Sequence, residues 1–267
     1  MSDYSKYQFL KIEKQGKVAI VTMNRPESLN AMNRVGLREM DTIWGDLEND
    51  EEVLAVVLTG AGRGFSSGGD FRDDVYTQDP STRPPWIAHM HVRHGIHQII
   101  DARYPVIAAV NGPAAGLAAS YALVCDIIFI GESGRILDSH VSNLGWVAGD
   151  GGVITWPLLI GLNRAKEYLF TGDPIRGKDA ERLGLANRCF PDDQLLPEAI
   201  AFAQRLAGGP PLAIRGTKHA LNQHIRLANL IAMDLGFALE GLTSTTEDGK
   251  EAPQAFMQKR KPQFKGR

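Results

Sequence analysis

The chain has 267 residues, of which 43% are apolar and 22% are charged, and its formal net charge at pH 7 is -2. This length and composition are those of a globular protein with a substantial core, built as one domain with or without an appendage. The nearly balanced charge excludes a general affinity for nucleic acid and a polybasic membrane patch.

The sequence carries no targeting or membrane-spanning signal. No run reaches about 18 apolar residues, so we expect no membrane span. The N-terminal stretch MSDYSKYQFL has neither the apolar core of a signal peptide nor the arginines of a presequence. Cys125 and Cys189 form no CxxC pair, so we expect free thiols and neither a disulfide framework nor a zinc site. These features predict a cytoplasmic protein.

The first part of the chain alternates strand and helix patterns, which predicts an α/β core with parallel strands. Two strand patterns joined at 15–16 predict a hairpin. Helical spacing of apolar residues predicts a helix over 33–48 with Asn33 as its cap, and continuous apolar runs predict buried strands at 53–60, in PVIAAV and in DIIFIGE. The other segments predicted before residue 193 are a polar, proline-rich loop at 73–86, helices at 87–102, 163–171 and 177–184, and a short strand end at 189–191.

From residue 193 onward the sequence patterns are all helical. The predicted helices cover 193–207, 211–224, 228–246 and 251–260. We therefore predict a core over 1–192 and a C-terminal helical region over 193–267.

Two glycine-rich turns each follow a buried strand: Ser66–Asp70 in SSGGD and Ala115–Leu117 in NGPAAGLAASYALVCD. Loops that follow neighbouring parallel strands lie at the same edge of a sheet, where ligands bind. Small residues and unpaired N–H groups at the start of a helix suit a developing negative oxygen, although tight helix–sheet packing explains such turns equally well. Neither turn has the dinucleotide-binding, Walker A or nucleophile-elbow pattern.

Five segments in order make the sequence similar to a known family. They are VTMNRPESLNAM, VVLTGAGRGFSSGGDF, PVIAAVNGPAAGLAASYALVCDI, LGWVAGDGGVITWPLLIGLNRAKEYLFTGD and AFMQKRKPQFKGR. Together they resemble the crotonase superfamily, the enoyl-CoA hydratase/isomerase family, over nearly the whole chain. The resemblance implies a ββα spiral core that holds an oxyanion hole and an acyl pocket. It also implies a C-terminal helical region that builds a homotrimer or a hexamer made of two trimers.

The same resemblance implies the substrate and its binding residues. The substrate would be an acyl-CoA thioester, with no cofactor besides its CoA. The thioester oxygen would lie between the backbone N–H groups of Gly69 and Leu117. The CoA-binding positions implied by the resemblance are Arg25, Ser28, Ser66, Gly68, Asp70, Phe256 and Lys259.

The sequence departs from the hydratase pattern at both catalytic glutamates. Hydratases of this family use two glutamates to handle water and a proton, and the matching positions here are Ser120 and Val141. Asp150 is the candidate acid/base that replaces them. The alternative is that Asp150 only caps the following helix, because aspartate before Gly-Gly-Val is a good cap by type.

Several histidines are further candidates. His140 could pair with Asp150, and an extended segment would turn Val141 to the opposite side. A second group, His89, His91, His94 and His97, lies on one predicted helix. A metal site there lacks a carboxylate or cysteine partner nearby in sequence, so a solvated or pocket-lining helix face is the preferred interpretation.

The sequence therefore predicts an enzyme that acts on an acyl-CoA through a thioester enolate. The missing glutamates favour isomerase, lyase or hydrolase chemistry over hydration. A hydrolase or carbon–carbon bond-cleaving lyase for a β-dicarbonyl or 3-oxoacyl-CoA substrate is one alternative, although Phe256 and Lys259 favour retained CoA binding. A non-catalytic binding homologue is the other, and the acidic residue at 150 argues against it.

Overall fold

A computed structural model describes residues 3–70, 72, 86–258 and 260–267. The loop predicted over 73–86 lies outside the described residues, apart from residue 86. Within the described ranges the chain forms nine β-strands and ten α-helices. No helix among these residues is long and apolar enough to cross a bilayer.

The strands alternate with helices through the first part of the chain, as the sequence predicts. The strands are β1 Leu10–Gln15, β2 Val18–Met23, β3 Ala55–Gly60, β4 Val106–Val110, β5 Pro113–Ala115, β6 Ile127–Gly131, β7 Arg135–Leu137, β8 Ile175–Arg176 and β9 Arg188–Phe190. The helices are α1 Arg34–Glu48, α2 Trp86–Asp101, α3 Leu117–Leu123, α4 Gly152–Ile160, α5 Leu162–Thr171, α6 Gly177–Leu183, α7 Asp192–Ala207, α8 Pro211–Leu221, α9 Gln223–Ser244 and α10 Glu247–Met257.

The main sheet has six strands in the order β1-β2-β3-β4-β6-β9. The predicted hairpin is confirmed: β1 and β2 pair antiparallel, and Gly16 adopts a φ of 61° in the turn between them. The other neighbours pair in parallel. Every residue of β3 and β4 is buried, which explains their continuous apolar sequences. Parallel pairing places the segments that follow β3 and β4 at one edge of the sheet.

Within the described residues, a second sheet consists of β5, β7 and β8; β5 directly follows β4 in the chain, and β7 directly follows β6. β5 pairs in parallel with β7, and β7 pairs antiparallel with β8. An isolated bridge between Ser66 and Ala114 joins the segment after β3 to this sheet. The small sheet therefore holds together the two glycine-rich turns that the sequence singles out.

Helices cover the main sheet on two sides. The larger core cluster includes α1, α2 and α3, and α1 begins at the predicted cap, where Asn33 accepts a hydrogen bond from the Gly36 N–H. On the other side, Leu195, Ala199 and Ala203 of α7 pack with residues of β2, β3, β4 and β6. The boundary predicted after residue 192 therefore falls at the start of a helix that belongs to the core.

The remaining C-terminal helices fold back over the same chain. Lys218 of α8 is buried, and its Nζ donates to the carbonyls of Ile99 and Tyr104 and pairs with Asp126 at 2.8 Å. Helix α9 begins five residues before its predicted start and packs on α4. Helix α10 packs on the segment that follows β7. These contacts bring the end of the chain to the edge where the turns meet.

Candidate active site

The two glycine-rich turns contact each other backbone to backbone. Ser66 N–H donates to the Pro113 carbonyl at 3.0 Å, and Ala115 N–H donates to the Ser66 carbonyl at 3.1 Å. Gly68 has a φ of 87°, and a Cβ there would lie 2.7 Å from the Ala115 carbonyl oxygen. Only glycine allows this approach, because any side chain would separate the turns.

Two N–H groups at this junction have no acceptor among the described residues: those of Gly69 and Leu117. The neighbouring amides are occupied, since Asp70 N–H donates to the Met32 carbonyl and Gly116 N–H donates to the Leu137 carbonyl. Leu117 is the first residue of α3, where helix geometry leaves N–H groups without intrahelical partners. The arrangement therefore offers two backbone donors on facing loops, as an oxyanion hole requires.

A cluster of buried polar side chains lies beside this junction. His140 Nδ1 lies 2.7 Å from Asp138 Oδ1, and His140 Nε2 lies 3.7 Å from Asp150 Oδ2. Ser120 Oγ donates to Asp150 Oδ1 at 3.2 Å. A Cβ on Gly116 would lie 3.0 Å from Cε1 of His140, so the imidazole sits directly against the turn that begins α3. The cluster thus brings together three of the predicted site residues with Asp138.

The charges of this cluster are coupled. Burial raises the pKa of Asp150 to about 6, although the His140 cation and the Ser120 hydrogen bond oppose this rise. Burial lowers the pKa of His140, but the Asp138 and Asp150 carboxylates outweigh it and leave this pKa well above its ordinary value. At neutral pH the site therefore holds an imidazolium between the side chains of Asp138 and Asp150.

Asp138, His140 and Asp150 are also the one group in the described part of the chain whose ligand atoms lie close enough to hold a metal ion, within 4.8 Å of one another. Each ring nitrogen of His140, however, already faces a carboxylate. His140 therefore pairs with a carboxyl group at each ring nitrogen, and the expectation that no metal binds here stays a prediction.

The structure contradicts the interpretation of Asp150 as a helix cap, and its acid/base role stays a prediction. Helix α4 begins at Gly152 with Gly151 as its N-cap residue, and no side chain caps it. Asp150 therefore does not cap the helix, and its carboxyl faces Ser120 and His140 instead.

The expectation of an extended segment at 140–141 is wrong. Residues 140–144 form one π-helical turn, in which Gly145 N–H donates to the His140 carbonyl five residues back. His140 is buried, whereas Val141 is only partly buried. Val141, which the resemblance matches to the second hydratase glutamate, thus supplies no polar group, while His140 before it does.

Several implied CoA-binding side chains are used within the protein. Arg25 Nη1 pairs with the buried Asp70 carboxylate at 2.8 Å, and Ser28 Oγ donates to the Arg25 carbonyl at 3.2 Å. Burial raises the pKa of Asp70, but hydrogen bonds from Arg72 and Arg25 outweigh it and lower this pKa overall. Ser66 is fully buried and donates to a backbone carbonyl at 2.7 Å. These side chains therefore shape the loops, and their roles in CoA binding stay predictions.

The two implied positions near the C-terminus are less informative. Phe256 lies in the last turn of α10, and Lys259 lies outside the described residues. Their roles in CoA binding stay predictions.

The histidines of α2 have partners that the sequence does not reveal. His91 Nδ1 lies 2.7 Å from Asp41 Oδ2, and His94 Nδ1 contacts the other oxygen of the same carboxylate. His97 Nε2 lies 3.2 Å from Met233 Sδ of α9. The side chain of His89 lies outside the described residues. The sequence shows no carboxylate near these histidines, but the fold brings Asp41 of α1 to them. Its contacts with His91 and His94 join α1 to α2.

Two acidic residues of this site are absent from the sequence-based prediction: Asp138 and Glu240. Asp138 stands two residues before His140, directly after β7, and this spacing is the only local signal for it. Glu240 of α9 is buried at 4% exposure and stands in the apolar stretch LGFALEGL. A lone glutamate in an apolar helix indicates a special environment but does not say what it faces.

A model of the enoyl-CoA hydratase/isomerase family matches residues 13–267. The chain belongs to this family, within the crotonase superfamily. This membership confirms the predicted ββα spiral core with a C-terminal helical region, and the prediction of an enzyme that acts on acyl-CoA.

Relatives cover nearly the whole length of the chain. The short-chain-enoyl-CoA hydratase of Clostridium acetobutylicum is 37% identical over 258 residues, covering 96% of this chain and 97% of the relative. An enoyl-CoA hydratase/isomerase structure from Mycobacterium paratuberculosis has 38% identity and a TM-score of 0.88, covering 94% and 99%. A monofunctional enoyl-CoA isomerase from M. smegmatis has 33% identity and a TM-score of 0.70, covering 85% and 98%. Both reaction types therefore occur among similar family members.

We predict that Ser120→Ala raises the pKa of Asp150. The Ser120 hydrogen bond favours the ionised carboxylate, so its removal from a buried site disfavours ionisation. Carbon-13 NMR of labelled aspartate, with Asp150→Asn to assign the signal, would measure the change. An unchanged or lower pKa in Ser120→Ala would show that this hydroxyl does not control Asp150.

Proposed function

We propose that this family member moves a proton at the carbon next to the thioester of an acyl-CoA, with Asp150 as the acid/base. The observation that supports this role is the place of Ser120. It occupies the position of one hydratase glutamate, and its hydroxyl holds the Asp150 carboxylate at 3.2 Å. In place of a glutamate, the site thus has a serine whose hydrogen bond positions Asp150.

The reaction requires one proton transfer out and one back. Asp150 takes a proton from the α-carbon, and the electrons of the C–H bond pass to the thioester oxygen as an enolate. The N–H groups of Gly69 and Leu117 stabilise that oxygen, which reduces the need for a metal ion. Return of the proton to the γ-carbon shifts the double bond, so isomerisation needs a single acid/base.

The charge state of the site suits this role. A base is most effective when its pKa lies near the working pH, and the pKa of Asp150 is about 6. His140, held at Nδ1 by Asp138, keeps its proton and steadies the negative charge of Asp150 from 3.7 Å. We propose that the CoA of the substrate is the only cofactor, since backbone donors and one carboxylate supply all the groups that the reaction needs.

A hydrolase or carbon–carbon bond-cleaving lyase for a β-dicarbonyl or 3-oxoacyl-CoA substrate is a second candidate. The observation that favours it is the Asp138–His140–Asp150 chain, because a carboxylate supported by an oriented imidazole also suits the activation of water. A panel of crotonyl-CoA, 3-hexenoyl-CoA and acetoacetyl-CoA with mass analysis of the products separates the candidates. Failure to turn over any of them would favour a non-catalytic homologue.

Asp150→Asn should abolish proton removal at the α-carbon. Exchange of the α-protons of butyryl-CoA in deuterated buffer needs this step, replacement of the proton on Asp150 by solvent deuterium, and its return, so it does not depend on the natural substrate. We expect a rate loss of about 10² to 10⁴. Mass spectrometry of recovered butyryl-CoA measures it, with calorimetric binding of CoA as a control for folding. Full exchange by Asp150→Asn would refute the role of Asp150.

Leu117→Pro should lower the same exchange rate by about 10² to 10³, the usual effect of losing one oxyanion donor. Proline suits the first position of a helix and lacks only the N–H group. Leu117→Ala is the matched control, because it loses the side chain but keeps the donor. Equal rates for the two variants would remove Leu117 from the oxyanion hole.

We also propose that α9 builds the homo-oligomer expected of this family, a trimer or two trimers. Its exposed large apolar residues follow helical spacing and have no covering element among the described residues. They are Leu227, Leu230, Ile231, Leu235, Leu239 and Leu242. A single chain gains nothing from exposing such a stripe, whereas association buries it.

Light scattering should therefore give a mass of three or six chains. Leu230→Glu, at a residue with 82% exposure, should lower that mass by placing a charge in the interface. Phe170→Glu, at another exposed apolar residue outside α9, is the control that should leave it unchanged. A monomeric wild-type chain would contradict the proposal.

A further inference from the structure

The segment between His140 and Asp150 is held by the C-terminal part of the chain. The Trp146 indole N–H donates to the Gly249 carbonyl of α10 at 3.0 Å, across 103 residues of sequence. The backbone N–H of the next residue donates to Thr243 Oγ1 of α9 at 3.1 Å. Two helices therefore fix the middle of the segment that carries both groups of the acid–base pair.

Two glycines let the C-terminal region approach this segment closely. A Cβ on Gly149 would lie 2.3 Å from the Gly236 carbonyl oxygen and 2.8 Å from Glu240 Oε2, so α9 touches the backbone just before Asp150. A Cβ on Gly145 would lie 3.0 Å from Cε1 of Phe264, near the end of the chain. Side chains at these two glycines would separate the segment from its supports.

Helix α10 can offer the Gly249 carbonyl because Pro253 stands four residues later. In an α-helix this carbonyl would accept the N–H of the residue at that position, and proline has none. The end of the chain holds the same helical turn, since Asp248 accepts hydrogen bonds from Lys265 N–H at 2.6 Å and Gly266 N–H at 2.7 Å. The acceptor of the indole bond is therefore both available and fixed in place.

The backbone of His140 is bonded to the same tryptophan. The His140 carbonyl accepts a hydrogen bond from Trp146 N–H at 3.0 Å, in addition to the bond from Gly145 N–H that closes the π-helical turn. Single π-helical turns of this kind are rare and occur frequently at functional sites. Because the carbonyl and the imidazole belong to one residue, a shift of Trp146 moves the ring relative to Asp150.

We propose that Trp146 is a positioning residue that holds the His140 imidazole at its distance from Asp150, with α10 as its support. This inference rests on the proposed role of Asp150 as the acid/base. The indole bond fixes Trp146 on α10, the backbone bond passes this constraint to His140, and Nε2 stays 3.7 Å from Asp150 Oδ2. Loss of the indole donor frees the π-helical turn, so the imidazole no longer supports the Asp150 carboxyl from a fixed place.

Trp146→Phe tests this role because it removes the indole N–H and keeps an aromatic ring. Nitrogen-15 NMR of labelled histidine, with His140→Gln to assign the signals, should show the His140 ring signals moved or broadened and those of His91 and His94 unchanged. The α-proton exchange rate of butyryl-CoA should fall by about 10- to 100-fold, the usual effect of a small misplacement in an active site. Calorimetric affinity for CoA should stay at the wild-type value.

Trp44→Phe is the matched control. The Trp44 indole N–H is buried in α1 and has no hydrogen-bond partner among the described residues. This variant therefore loses an indole without breaking a bond, and it should leave the His140 signals and the exchange rate unchanged even if its unfolding temperature drops. A Trp146→Phe protein with wild-type His140 signals or a wild-type exchange rate would overturn the inference.

A second variant covers a failure of Trp146→Phe to fold. Replacement of Trp146 by benzothienylalanine keeps the fused ring and lacks only the N–H group, so it should give the same two changes, and their absence would equally overturn the inference. The histidine signals also separate this inference from the proposed function. If Asp150→Asn exchanges at the wild-type rate, the proposed function fails, whereas unchanged His140 signals in Trp146→Phe with an inactive Asp150→Asn refute the role of Trp146 alone.

Discussion

The imidazolium of His140 is the charge on which the site depends. Desolvation and repulsion from Asp138 disfavour the ionised form of the buried Asp150, and the His140 cation opposes both effects. Each ring nitrogen of His140 faces one aspartate: Nδ1 lies 2.7 Å from Asp138 Oδ1, and Nε2 lies 3.7 Å from Asp150 Oδ2. This compensation leaves Asp150 with a pKa of about 6, where it can both take and return a proton. The elements that carry these three side chains must therefore pack close together.

Close backbone contacts at three glycines allow this packing. Gly68 lets the turn after β3 touch the turn after β4, Gly116 lets the imidazole rest on the start of α3, and Gly149 lets α9 touch the loop before α4. At each place a Cβ would lie within 3.0 Å of a neighbouring atom. The donors of Gly69 and Leu117 therefore belong to rigid junctions, which is how preorganised stabilisation of an oxyanion works. Their catalytic use stays a prediction.

Family membership and reaction are different questions for this chain. A shared fold fixes the thioester pocket but not the acid/base, which depends on a few side chains grafted on the fold. The resemblance matches Ser120 and Val141 to positions where hydratases carry glutamates. The buried acidic residues here come from the segment after β7, the loop before α4 and α9. Named relatives at similar identity include a hydratase and an isomerase. The residues at the site therefore say more about the chemistry than the degree of similarity does.

The sequence by itself determined the α/β core, the hairpin at 15–16, the cap at Asn33, the two turns and the family. These depend on short-range periodicity, turn chemistry and motif order, all readable along the chain. Only the tertiary structure decided that Asp150 pairs with His140 instead of capping a helix, and that 140–144 winds into a π-helical turn. It alone brought Glu240 to the cluster. Charges interact through space, and the burial that sets their pKa values is created by segments far apart in sequence.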